Sequence, residues 1–323
     1  MTETPPALTV ENVTVDYDRH RAIDDLSLEI NTGEIIGIIG PNGAGKTSFI
    51  KALCGHIKLD SGRFAFNGTI IKPRASRQSK IGLVPQDIGL YSHMTARENL
   101  LIFAKIMGIK GRRARAEAAA KSLAAVEMDH KSEALISELS GGMKRRINIA
   151  AAIMHSPPIL ILDEPTAGVD IPARDTVHRL ARTISDNGTA VLLITHELEQ
   201  AEALCDKLLI LANGKKLAFD TPTAVLSKAY GNAREIMARF STPPQGETLE
   251  ALRPYKFTQA ELPTVWTAMT NASQVADVSA FMASLRGGSA LLREISVRRP
   301  GLTHLMHYIE KHGQLPHFES KAA

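Results

Sequence analysis

Residues Gly40 to Thr47 read Gly-Pro-Asn-Gly-Ala-Gly-Lys-Thr, a G-x-x-x-x-G-K-T spacing whose chemistry is the grip of phosphate oxygens. Glycines at 40, 43 and 45 let the backbone fold tightly enough to aim successive N–H groups inward as an anion nest. A helix N-terminus behind the nest adds roughly half a positive charge, so the natural guest is a polyphosphate. Lys46 is placed to reach the β- and γ-phosphates, and the Thr47 hydroxyl to ligate Mg2+. A plain glycine-rich turn is the bland alternative. Further along, Asp163 and Glu164 pair a metal-holding acid with one that can take a proton from attacking water. Gln86 offers an amide that can accept from a metal-bound water and donate to phosphate, and His196 is a candidate γ-phosphate contact.

Each of these groups follows a short apolar run of the kind that forms a buried strand. The runs are Glu34 to Ile39 before the glycine loop, Ile81 to Val84 before Gln86, Pro158 to Leu162 before Asp163, and Thr189 to Ile194 before His196. In an open α/β sheet the carboxyl ends of the strands are where ligands bind, so the spacing predicts one shared crevice. A helix is expected over Lys46 to Leu53. Alternating strands are expected over Leu8 to Asp16 and Ile23 to Ile30, with hairpins turning at Asn67-Gly68 and Asn213-Gly214. Tyr17, just ahead of the loop, either stacks on a base or packs internally.

Between Met94 and Glu138 the periods are helical, beginning at a Thr95-Ala96-Arg97-Glu98 capping box and continuing through the alanine-rich run from Arg112 to Met128. The basic run Lys110 to Arg115 reads as a solvated helix start or as a surface for a partner or lipid headgroups. Ser140 then caps a helix whose apolar stripe is Met143, Ile147, Ala150 and Met154. Gly141 and Gly142 in its first turn cost up to ~1 kcal/mol each against alanine, which implies that something needs bare backbone there. A second phosphate-facing helix terminus is one such need, with a flexible helix start as the plain alternative.

The composition is that of an ordinary globular chain: 323 residues, 44% hydrophobic and 22% charged, enough for a large domain and a small one. A net charge of +4 from 38 basic and 34 acidic residues does not argue for nucleic acid. Cys54 and Cys205 are isolated in apolar segments and read as free core thiols, suited to a reducing cytosol. No run approaches the ~20 apolar residues of a spanning helix, and the start of the chain has no signal-peptide core. A role at a membrane is therefore expected from outside the bilayer.

On these residues the stretch from 8 to about 230 resembles the nucleotide-binding domain of ABC transporters. Gly40 to Thr47 matches its Walker A motif, Gln86 its Q-loop, Leu139 to Gly142 its signature, Ile159 to Glu164 its Walker B, Ala167 to Asp170 its D-loop and His196 its switch histidine. The resemblance implies an α/β, P-loop NTPase core with an antiparallel β subdomain and a helical subdomain over about 94–155. The ATP-binding domain is then 1–240 and a small α+β accessory domain 241–323. It implies catalytic roles for Glu164, His196, Gln86 and Lys46. ATP is held by Tyr17, Gly40, Pro41, Asn42, Gly43, Ala44, Gly45, Lys46, Thr47 and Ser48, and in trans by Ser140, Gly141, Gly142 and Asp170 of a facing subunit. Thr47, Gln86 and Asp163 hold Mg2+, partly through water. The implied partners are a transmembrane permease and a second nucleotide-binding domain, identical or a paralogue, at the cytoplasmic face of the cell membrane.

Met143-Lys144-Arg145-Arg146, the insertion beginning at Met107 and the C-terminal extension are similar to the ABC-2 exporter branch. An importer or lipoprotein-release motor, and a soluble ABC protein acting on ribosomes or DNA, are the alternatives. Asp18, where the family often has glycine, and Val169, in place of the commoner leucine, depart from the pattern without removing a catalytic group. Beyond a linker at Ser241 to Gly246, strands are expected over 264–270 and 290–298, and helices over 273–285 and 302–311. Thr303 and His304 stand where the family usually places acidic residues, and His304, His307, His312 and His317 read as surface histidines rather than a metal set.

Overall fold

The computed structural model describes residues 5–17, 20–71, 79–260, 262–271 and 292–316. Asp18, His317, most of the basic connection after Lys72 and the helix expected at 273–285 lie outside the described residues. The chain divides into two compact units, Met1–Pro222 and Thr223–Ala323.

In the first unit, β1 (Leu8–Tyr17), β2 (His20–Ile30), β4 (Ser61–Phe66) and β5 (Thr69–Ile70) form an antiparallel sheet in the order β2-β1-β4-β5. The turn between β4 and β5 places Asn67 and Gly68 at φ 47° and 74°, the pair of positive values that a two-residue Asn-Gly hairpin requires. A second sheet has the order β10-β9-β3-β8-β7-β6, built from β3 (Ile35–Ile39), β6 (Ile81–Val84), β7 (Ile159–Asp163), β8 (Ala190–Ile194), β9 (Lys207–Ala212) and β10 (Lys215–Asp220). Its strands are parallel except for the β9–β10 hairpin. The four runs that precede the candidate site residues thus become four neighbours, β3-β8-β7-β6, ending on one edge.

One apolar core joins the two sheets. Ile36 and Ile38 of β3, Ile161 of β7 and Leu192 of β8 share it with Val13 of β1, Leu26 of β2, Phe64 of β4 and Phe49 of the helix Lys46–Leu53. The Phe49 and Phe64 ring centroids are 6.4 Å apart. Cys54 and Cys205 are buried free thiols. The helices Ala96–Ile106 and Arg112–Ala125 follow β6. The first opens with the Thr95 capping box, in which the Thr95 hydroxyl accepts from the Glu98 N–H while the Glu98 carboxylate accepts from the Thr95 N–H.

The second unit begins at Thr223, ahead of the Ser241–Gly246 segment that reads as a linker. β11 (Ala233–Phe240) is the inner strand of an antiparallel sheet ordered β12-β13-β11-β14, with β12 (Thr258–Gln259), β13 (Val265–Asn271) and β14 (Leu292–Arg298). Its residues, Ala-Arg-Glu-Ile-Met-Ala-Arg-Phe, include strong helix formers. Tertiary pairing overrides that propensity: Glu235 is buried and accepts from Arg298 Nε at 2.8 Å, with His304 Nδ1 3.3 Å from its other oxygen. His304 also meets the Tyr230 ring edge-on at 5.7 Å, so it is half-buried and structural rather than a plain surface histidine.

The hydrogen bond from His304, reinforced by Arg298, holds the Glu235 carboxyl below the ordinary glutamate range against the opposing effect of burial. Its stabilisation is therefore present above the pKa of an unfolded glutamate and is lost as pH falls through the lower folded value. We expect Glu235→Gln to destabilise the second unit by about 1–2 kcal/mol near neutrality and to blunt its loss of stability in acid. Thermal unfolding of the full chain as a function of pH reads both effects.

Candidate functional site

The loop after β3 is packed too tightly for side chains at its two ends. A Cβ on Gly40 would lie 2.2 Å from the Leu211 carbonyl oxygen, and one on Gly45, at φ 104°, would lie 2.4 Å from that of Ala22. Gly45 caps the helix Lys46–Leu53, while Gly43, at φ 77°, has open space where a side chain would stand. Lys46 Nζ donates to the Gly40 and Pro41 carbonyls, which curls the ammonium back over the loop. Asn42 and Thr47 are exposed, Pro41 and Ser48 are half-buried and Ala44 is buried against the core.

At the end of β7, burial raises the Asp163 carboxyl above the ordinary aspartate range, with Arg145, His196 and Lys46 pulling the other way. The glycine-loop cation and the β7 acid therefore share one electrostatic environment. Glu164 is raised as well, first by burial and then by the charges of Asp163 and Glu197, with His196 opposing. Its side chain is 14% exposed, and its Oε1 lies 3.3 Å from Nε2 of His196, itself 65% exposed at the end of β8. Oε1 is nevertheless a buried oxygen on which no hydrogen-bond donor is aligned among the described residues. The Glu164 backbone stands at φ 47°, uncommon for a residue with a side chain and typical of positions that the surroundings hold in place. Its N–H donates to the Ile194 carbonyl at 2.9 Å.

Gln86 is exposed just past β6. Ser140, also exposed, caps the helix Gly141–Ile153 by accepting from the Met143 N–H. The two glycines that follow separate in the structure. Gly141 has nothing within 4 Å of where a Cβ would stand, whereas a Cβ on Gly142 would lie 2.5 Å from that of Ala173. Gly142 thus has a packing reason within its own chain, and Gly141 keeps the bare, open backbone that a ligand needs. Ala173 belongs to the helix Ile171–Asp186, whose N-cap Asp170 accepts from the Ala173 N–H at 3.0 Å. Ser140, Gly141 and Asp170 are exposed around the buried Gly142, which is joined to Asp170 through Ala173. Tyr17, at the end of β1, is 43% exposed.

The sequence reading missed Arg145. It falls opposite the stripe of Met143, Ile147, Ala150 and Met154 and reads as one of three basic residues in a row, yet it is 2% exposed. A signal was present: Arg145, Ile149 and Ala152 recur at spacings of four and three, a second buried face on the same helix. A bracket around the Glu164 turn was missed too, in which Glu197 accepts from the buried Thr166 hydroxyl at 3.0 Å and pairs with Arg174 at 2.8 Å.

A glycine nest at a helix N-terminus, a lysine over it and two half-buried carboxylates two strands away, at the end of β7, define a nucleoside-triphosphate site of the P-loop class. Comparison with known proteins places it further. Residues 23–167 match the family model described as ABC transporter. The chain is 38% identical over 226 residues to the linearmycin resistance ATP-binding protein LnrL of Bacillus subtilis, covering 70% of this chain and 72% of that protein. It is 38% identical over 221 residues to the Nod factor export ATP-binding protein I of Burkholderia orbicola, covering 68% and 72%. Among solved structures, cbiO1 from Clostridium perfringens, part of the ABC transporter complex cbiONQ, superposes with a TM-score of 0.64 at 26% identity over 70% of this chain and 92% of that one. A nucleotide-free ATP-binding cassette gives 0.60 at 28% identity over 66% and 90%. The chain belongs to the ATP-binding subunits of ABC transporters, the ATPases that power transport.

Proposed function

We propose that this chain drives export through a separate transmembrane permease, working from the cytoplasmic face of the membrane as one of two facing copies with ATP and Mg2+ at each seam. The observation that carries the hydrolytic part is Glu164, a half-buried carboxylate held above its ordinary range, with a buried oxygen free of aligned donors beside His196. That oxygen is suited to accept a proton from an attacking water, and a neighbouring imidazole is suited to a phosphate oxygen. Lys46, released from the Gly40 and Pro41 carbonyls, carries its charge to the β- and γ-phosphates, with Gly40 to Ser48 wrapping them. Tyr17, exposed at its strand end, is placed as a base-stacking surface.

The donor set fits Mg2+, a hard cation that takes oxygen ligands: Asp163, the exposed Thr47 hydroxyl and the Gln86 amide are all oxygen donors at one sheet edge. Held by Asp163, Thr47 and Gln86, the ion would supply positive charge that offsets the charge of the phosphates. Ser140, Gly141 and Asp170 lie on a surface exposed beside Gly142, which supports their meeting the nucleotide of a facing copy. Export is supported by the relatives' names, one a linearmycin resistance protein and the other a Nod factor export protein. No helix among the described residues is long and apolar enough to cross a membrane, which agrees with the path lying in another subunit.

The test is to purify the tagged chain from membranes, identify the permease that accompanies it and reconstitute the pair in vesicles. ATP-dependent movement away from the nucleotide-facing side supports export. Uptake toward that side, or recovery with ribosomes in place of a permease, contradicts it.

A further inference from the structure

Arg145 sits one turn into the helix that starts at Ser140. Its Nη1 donates to the Pro85 carbonyl at 2.6 Å, and its Nη2 donates to the carbonyls of Gln86 at 2.8 Å and Glu164 at 3.1 Å. A guanidinium is a rigid planar fork, so three carbonyls from two loops are fixed relative to one another and to the first turn of the helix. Those loops end β6 and β7 and carry the amide and the carboxylate of the hydrolytic site. The Glu164 carbonyl held in this way belongs to the residue with the left-handed backbone. No acid forms a salt bridge with this buried cation among the described residues, and Asp163 and Asp87 balance it only through space. A buried charge spent wholly on backbone carbonyls is costly where burial is the only gain, and here it fixes the geometry of two loops.

We propose that Arg145 is a positioning residue that couples Ser140–Gly142 to Gln86 and Glu164, so that the nucleotide met by this segment in a facing copy sets the alignment of the chain's own hydrolytic carboxylate. The inference rests on the reading that Ser140–Gly142 completes the nucleotide site of a second copy. A displacement of the first helical turn is passed through one side chain to both loops, because residues 141 and 145 are a single turn apart. Each site thereby reports its occupancy to the other.

The experiment measures ATP turnover against Mg-ATP concentration for the full chain and for Arg145→Gln and Arg145→Lys. Affinity for a fluorescent ATP analogue and the melting temperature are measured beside it. For the unaltered chain the expected Hill coefficient is about 1.5–2, the upper bound for two sites. In Arg145→Gln it falls to about 1 and kcat drops roughly tenfold, while analogue affinity stays within about twofold, because the lost interaction aligns groups rather than binding nucleotide. Arg145→Lys, which keeps the charge without the fork, falls between. A merely structural role would lower the melting temperature and leave the Hill coefficient of the folded fraction unchanged. Variants that keep both kcat and cooperativity overturn the proposal, and if Arg145→Gln does not fold, the lysine variant decides. An unaltered chain that hydrolyses ATP without cooperativity overturns instead the two-site reading on which the proposal rests.

Discussion

Glu164→Gln is expected to lower ATP turnover by about 10²–10⁴-fold, the range a positioned general base contributes, while leaving ATP affinity within a few-fold of the unaltered chain. Glutamine keeps the size of the side chain and its place at the end of β7, so folding is little disturbed. What disappears is an oxygen basic enough to accept a proton, and Oε1 is the oxygen left buried without an aligned donor. The pH dependence carries a sign that the same geometry fixes. Burial, with Asp163 and Glu197, raises the carboxyl above the ordinary glutamate range, and a base works only when deprotonated. Turnover by the unaltered chain should therefore fall on acidification through that raised value, earlier than an exposed glutamate would allow. In Glu164→Gln the residual rate should lack this limb. A pH profile of kcat for the two proteins reads the difference.

Lys46→Ala is expected to produce the opposite pattern, weakening ATP binding by about 100-fold through loss of a charge-assisted contact to phosphate, with turnover lost as a consequence. Lys46 is half-buried and bonded to the Gly40 and Pro41 carbonyls, so the ammonium is already directed over the loop before any phosphate arrives. Gly40 is buried and Pro41 half-buried, so losing the donor to their carbonyls is expected to cost about 1–3 kcal/mol of stability as well, which the melting temperature reads. Lys46→Arg should not rescue binding, because a planar fork does not replace a compact point charge where loop backbone closes around the head group. Equilibrium titration with a fluorescent ATP analogue separates this defect from that of Glu164→Gln, which binds and does not turn over.

The phosphate loop, both strand-end acids and His196 were legible because their signal is local: a spacing, a residue type and a preceding apolar run that can only be a buried strand. The same holds for Thr95, where four residues state the helix start and the structure supplies both bonds of the box. The burial of Arg145 was legible in the face it shares with Ile149 and Ala152, but its role was not, because the three carbonyls that make it lie 60, 59 and 19 residues away. Ala233–Phe240 drew no expectation for a related reason. Its composition favours a helix, and only the partners of Glu235, 63 and 69 residues away, show why it is a strand. Gly142 shows a third kind of limit. Its lack of a side chain read as a need for a ligand or as a flexible helix start, yet Ala173 of the same chain already forbids a Cβ there.

The claim underlying the whole account is that two copies close on ATP and that Glu164 then permits its cleavage. The mass of the full Glu164→Gln chain by light scattering, with and without Mg-ATP, tests it most directly. The account predicts a shift from 35.0 kDa to twice that value on adding nucleotide, with two ATP retained per pair. A chain that binds Mg-ATP and stays single at every concentration would contradict it.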